Sequence, residues 1–180
     1  MKKLSVSSLV VFAGSSFISS AALAHAGHEG HSSFMTGFLH PLTGWDHLAA
    51  LLLLGVFVTV SSKKAALLLL AFVSLMLLMG FATGVYWSQV DTVESLVLTS
   101  LFALPVCFFL YLKSGLLKSL ALVALAIFSA CHGVVQGAEA YGVLVHYAAG
   151  TLLSSVMAMT VIAVFVKGLV SAKKYMSQSA

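Results

Sequence analysis

The chain has 180 residues, 61% of them hydrophobic and only 8% charged, and its mean hydropathy of +1.09 lies far above that of a soluble domain. That composition specifies an integral membrane protein. The formal net charge of +4 comes from lysines gathered at the ends of apolar runs, a topology signal that excludes a nucleic-acid partner.

Residues 1–24 have the layout of a secretory signal peptide: Lys2-Lys3, an apolar stretch to about Ile18, then Ala22-Leu23-Ala24 as an A-x-A cleavage site. Cleavage leaves His25 as the mature N-terminus; an uncleaved signal anchor is the alternative. Residues 25–33 are a His-rich periplasmic N-terminus in which His25, His28 and His31 recur every third residue. Spaced imidazoles beside a free amine collect copper, nickel or zinc, the plainer reading being a polar spacer.

Residues 34–180 then form the transmembrane domain. Five segments, approximately 38–60, 65–87, 93–112, 116–135 and 141–166, have the apolar length needed to cross a bilayer as helices. The expected fold class is therefore all-α, a polytopic membrane helix bundle of five transmembrane helices after a cleaved signal peptide. If the helices alternate, Lys63-Lys64, Lys113, Lys118, Lys167 and Lys173-Lys174 fall on one side and Glu29, Asp91, Glu94 and Glu139 on the other. The positive-inside rule makes the lysine side cytoplasmic. The mature N-terminus is then periplasmic and the C-terminus cytoplasmic, in a bacterial inner membrane.

The first apolar segment contains His40-Pro41-Leu42-Thr43-Gly44-Trp45-Asp46-His47. Ionisable groups at membrane depth cost roughly 2.5–3.5 kcal/mol each even on the lenient insertion scale, so they point to function, and His with Asp is a transition-metal ligand set. On an ideal helix His40 and His47 share a face but stand about 10.5 Å apart along the axis, too far for one ion to bridge. Proline is tolerated in a helix's first turn, so the membrane helix is expected to start near Pro41, with His40 on a non-helical lead-in that folds towards Asp46 and His47. Gly44 is expected to admit another backbone at close range.

The fourth segment ends in His132-Gly133-Val134-Val135-Gln136-Gly137-Ala138-Glu139. His132 and Gln136 share a helix face at i and i+4, and Gly133 with Gly137 has the spacing of close helix packing. Metal ligation and a packing seam with a helix-capping histidine are both open for this cluster. Gly80-x-x-x-Gly84 reads as a packing face, with Gly142 and Gly150 as candidates for the same role. His146 is a further metal candidate at the start of the fifth segment. Cys107 and Cys131 form no C-x-x-C pair and read as small apolar fillers. Met76, Met79, Met157 and Met159 read as gap fillers before thioether ligands. Hydrolase and P-loop signatures do not occur, so the chain does not read as an enzyme, and any transport must draw on an ion gradient or a partner.

The pattern His40-Pro41 through Gly44-Trp45-Asp46-His47, together with His132-Gly133 and Gly137-Ala138-Glu139 in a signal-plus-bundle layout, resembles the HupE/UreJ family of nickel/cobalt permeases. The resemblance spans essentially the whole chain. It implies secondary uptake of Ni²⁺, or else Co²⁺, in support of hydrogenase or urease maturation, and it carries the family's H-x₅-D-H residues over to His40, Asp46 and His47. The family's second pattern reads H-G-x-x-H-G-x-E, and here Gln136 stands in place of its second histidine.

The reading that follows is a secondary permease for a divalent transition metal, with Asp46 and His47 as core ligands, His40 as entry ligand, and His132 and Glu139 facing them; Gln136, His146, His25, His28 and His31 are the further metal candidates. The ion is a transported substrate, with no permanently bound cofactor. Because imidazole must be unprotonated to ligate, uptake is expected to fall as pH drops through the histidine range. Its partners are the ion and the bilayer, with a homo-oligomer admitted. The competing reading is a membrane accessory or receptor that presents metal without moving it, and below both stands an intramembrane metalloenzyme. A polar path into the cytoplasmic half discriminates for transport, and the sequence shows little polarity there beyond Thr59, Ser61 and Ser74.

Overall fold

A computed structural model describes residues 32–87 and 90–178, so the signal peptide and His25, His28 and His31 lie outside the described residues. Those described form six helices and no strand: α1 (Ser33–Thr43), α2 (Trp45–Val60), α3 (Lys63–Gly84), α4 (Val90–Tyr111), α5 (Leu116–Ala138) and α6 (Leu144–Gln178). Four of them, α3, α4 over Thr92–Tyr111, α5 and α6 over Leu144–Ser177, are each long and apolar enough to cross a membrane. The pair α1 and α2 passes that test only jointly and bends by 76° at its break, so the bundle has four spans, or five if the bent pair counts as one. The protein is a multi-pass membrane protein, and its outward side chains agree: Phe102, Leu67 and Val161 are among many large apolar residues left exposed on a face that only lipid suits.

The predicted first segment is thus two helices. Ser32 caps α1 by accepting a bond from the Met35 N–H at 3.3 Å, so the helix starts eight residues before Pro41, and His40 lies in its last turn rather than on a non-helical lead-in. Pro41 sits inside α1. It offers no N–H to the carbonyl of Gly37 four residues back, which weakens the ladder just before the helix ends. Gly44 then adopts an extended conformation (φ −72°, ψ 107°) between the helices, although its N–H still reaches the His40 carbonyl at 3.1 Å.

Around the bundle, α6 packs on α2, α2 on α4, α4 on α5 and α5 on α3, and α3 touches α6; α1 lies against the beginning of α6. The tightest seam joins α3 and α5. A Cβ added at Gly80 or Gly84 would enter the backbone carbonyls of Ala130 and Val134, and one at Gly133 or Gly137 those of Leu77 and Phe81. The two G-x-x-x-G motifs therefore face each other reciprocally, as packing in lipid favours, since without a hydrophobic force between helices close van der Waals contact must hold them. Gly37 and Gly150 do the same for α1 against α6, and Gly55 for α2 against α6. Gly142 lies in the α5–α6 turn with φ +75°, a left-handed conformation that favours glycine, and a Cβ there would also run into the Ser33 side chain of α1.

Short connections make successive helices from α2 onwards antiparallel, which gives the bundle two chemically distinct ends. At one, the Ser61 hydroxyl between α2 and α3 meets the Tyr111 hydroxyl at the end of α4, 2.8 Å away, and the Lys118 ammonium stands 4.8 Å from the Tyr111 ring. At the other lie the α1–α2 break, Glu139 and the start of α6. The 35 residues of α6 give about 52 Å at 1.5 Å per residue, well over the ~30 Å hydrocarbon core. The surplus at the lysine end carries Lys167 and Lys173-Lys174.

Candidate metal site at the helix break

The break does what the sequence assigned to a non-helical lead-in. With α1 and α2 turned 76° from each other, the rings of His40 and His47 come to 5.2 Å between centroids, half of what a continuous helix imposes. Gly44 is required for space rather than for backbone angle. A Cβ there would stand 3.0 Å from His47 Cδ2, 3.4 Å from Asp46 Oδ1 and 3.5 Å from the His40 carbonyl oxygen. Its two nearest neighbours are candidate ligand side chains, and the third is the backbone carbonyl of His40 on α1, where the sequence led us to expect the backbone of a more distant helix. Asp46 occupies the first turn of α2, where the unpaired N–H groups favour a carboxylate.

From α5, the buried His132 faces the buried His47, with the two Nδ1 atoms 3.0 Å apart. His132 Nε2 lies 3.2 Å from Ser100 Oγ on α4. The proton positions follow from the hydroxyl: Ser100 donates its one hydrogen to the Val97 carbonyl, so it accepts from His132 Nε2–H. In the neutral ring His132 Nδ1 then holds a lone pair and accepts from His47 Nδ1–H. His47 is left with its lone pair on Nε2, the arrangement found for metal-binding histidines whose other nitrogen is held by a neighbour. On this geometry His132 orients His47.

His40 turns to the end of α5, where its Nε2 lies 3.5 Å from Glu139 Oε2; Glu139 caps the α5 C-terminus. The ring of Tyr147, from the first turn of α6, is 5.9 Å from that of His40 and 6.1 Å from that of Phe81 on α3. Tyr147 is fully buried, and its hydroxyl makes no hydrogen bond, an expensive state for a polar atom at membrane depth. Gln136 is buried on α5 one turn beyond His132. His146 is exposed and is not among the residues gathered at the break.

Of the residues singled out in the sequence, the structure brings together His40, Asp46, His47, His132 and Glu139. No group of three or more His, Cys, Asp or Glu side chains among the described residues is arranged to hold a metal ion as it stands. Sequence reasoning missed Ser100 and Tyr147. Tyr147 had a legible signal: Tyr147, Thr151 and Ser155 recur at i, i+4 and i+8, a polar stripe along an otherwise apolar helix. Cys107 is buried in the apolar core, Cys131 packs beside a smaller cluster on α4 and α5, and both are free thiols.

No curated protein and no solved structure shows a significant match to the chain. The sequence pattern of the family described as "HupE / UreJ protein", however, matches residues 13–180. That match takes in both ends of the helix break, His132 and Glu139, and on it the chain belongs to the HupE / UreJ protein family.

Proposed function

We propose that the protein is a secondary permease that takes up a divalent transition metal, Ni²⁺ first and Co²⁺ next, through the cluster at the helix break, supplying hydrogenase or urease maturation. The observation that carries this reading is the approach of the His40 and His47 rings to 5.2 Å across the helix break, with Asp46 beside them at Gly44 and His132 orienting His47 from α5. In apolar surroundings such a gathering of ionisable groups marks a functional site or an ion pathway. His47 Nε2, the Asp46 carboxylate, His40 and Glu139 are the ligands, and His132 is the positioning residue. A mixed imidazole and carboxylate set suits borderline ions without the grip of thiolates. His40 already stands between Glu139, 3.5 Å away, and the His47 ring, so the set closes on an ion by side-chain rearrangement. Weak, rearranging ligation is what conduction requires, because a site must also release its ion. The lysine end faces the cytoplasm of a bacterial inner membrane and the cluster faces the periplasm.

The accessory reading, metal presented but not moved, is favoured by one feature. Below the histidines the interior is closed by Leu54, Leu104, Leu125 and Met159, all buried. Uptake into proteoliposomes across Ni²⁺, Co²⁺, Zn²⁺ and Mn²⁺, with an imposed proton gradient, decides. The permease reading predicts accumulation of Ni²⁺ above Co²⁺ and of both above Mn²⁺. Nickel binding without accumulation of any ion establishes the accessory role instead.

A further inference from the structure

Hydroxyls at membrane depth ordinarily settle on their own helix, donating to a carbonyl three or four residues back. Thr59, Ser61, Thr83, Thr99, Thr151, Ser154 and Thr160 all do so. Ser129 on α5 and Ser155 on α6 do not. Both are fully buried, and both hydroxyls lack any hydrogen-bond partner. Full burial turns each of these side chains away from the lipid-facing surface.

Their position is layered. Ser129 lies one turn from His132 along α5, towards the lysine end, and Ser100, bonded to His132, supplies a third buried hydroxyl. One further turn towards the lysine end on each helix stands an apolar residue with 0% exposure: Leu104 after Ser100, Leu125 after Ser129 and Met159 after Ser155. These belong to one core cluster with Leu54, and the backbone of Met159 lies against Gly55, beside Leu54. Histidine, hydroxyl and an apolar floor thus follow in order along α5, and along α4 and α6 a buried hydroxyl is followed by the same floor.

We propose that Ser129 and Ser155, with Ser100, form an oxygen-donor station that receives a partly hydrated divalent cation from the histidine cluster, directly above the apolar floor that must open for release. The proposal rests on the permease reading. Neutral hydroxyls bind such an ion weakly, as a transit step demands, and two of them have no hydrogen bond to give up.

The test uses the full-length protein in proteoliposomes with Ni²⁺, comparing wild type, the double variant Ser129→Ala/Ser155→Ala, and Ser155→Cys. The double variant is expected to lose at least about fivefold in maximal uptake rate while its nickel Kd stays within about twofold, because the hydroxyls act after binding. A smaller loss overturns the proposal. Should the double variant fail to fold, shown by loss of nickel binding, Ser155→Cys decides, since a thiolate on the path traps soft Cd²⁺. Cd²⁺ is expected to block Ser155→Cys at a concentration that spares the wild type, with its native Cys107 and Cys131; equal sensitivity overturns the proposal. A wild type that binds nickel and moves none overturns the permease reading and this station with it. A transporting wild type with unaffected serine variants overturns the station alone.

Discussion

Gly44→Ala separates the geometry of the break from the stability of the fold. The backbone at Gly44, φ −72° and ψ 107°, is open to any residue, so alanine there meets no conformational strain and gains about 0.4–1 kcal/mol from a less disordered unfolded chain. The added Cβ, however, would stand 3.0 Å from His47 Cδ2, where carbon atoms rest at about 3.5–4.0 Å. The ring must retreat by roughly 0.5 Å. A similar displacement takes the His47–His132 nitrogen pair from 3.0 Å to about 3.5 Å, beyond a useful hydrogen bond. Losing one neutral hydrogen bond costs about 1 kcal/mol, which offsets the chain-entropy gain and leaves thermal stability within about 1 kcal/mol of wild type. If His47 Nε2 is a ligand, bringing the displaced ring back to its ligating position against the added methyl costs a further ~1 kcal/mol on binding, a fall in nickel affinity of roughly fivefold. Calorimetric titration of Ni²⁺ and thermal unfolding, both on purified protein in one detergent, measure the two quantities. Unchanged affinity in a folded Gly44→Ala protein refutes the claim that this gap sets the ligand geometry.

Gly137→Ala drives a Cβ into the Phe81 backbone and should destabilise by about 1–3 kcal/mol through overpacking, seen as a lower melting temperature, whereas Gly168→Ala meets nothing and, inside α6, should stabilise by up to about 1 kcal/mol. Gln136→His adds an imidazole one turn from His132 and is expected to tighten nickel binding; identical calorimetric affinities would exclude Gln136 from the site. A cysteine placed after residue 174 should resist an impermeant thiol reagent added to intact cells, because the lysine end is cytoplasmic; labelling from outside would reverse the orientation.

The membrane class, the approximate extents of α3 and α5 and the facing glycines Gly80, Gly84, Gly133 and Gly137 were legible in the sequence because each rests on local chemistry: apolar length, terminal lysines, small residues four apart; Gly37 and Gly55, which no such spacing marks, were not. The break between α1 and α2 was legible only in part. Pro41 and Gly44 announced an interruption, but a proline inside the last turn and a proline in a first turn look alike without the Ser32 cap that starts the helix eight residues earlier. The gathering of His40, His47, His132 and Glu139 at one end followed from alternating topology. Their pairing did not, because the contact of His47 with His132 spans 85 residues and depends on how α2 and α5 both meet α4. Tyr147 was passed over for its neighbour His146, since type alone favours the imidazole, and only the helix register turns the phenol inward.

Nickel uptake by proteoliposomes carrying His47→Ala tests the central claim most directly, with Cys107→Ala, a buried core residue away from the break, as the control for reconstitution. The account predicts that His47→Ala and Asp46→Ala each abolish uptake in a protein that still reconstitutes and unfolds cooperatively, while Cys107→Ala transports at nearly the wild-type rate. Wild-type nickel uptake by either His47→Ala or Asp46→Ala would contradict it.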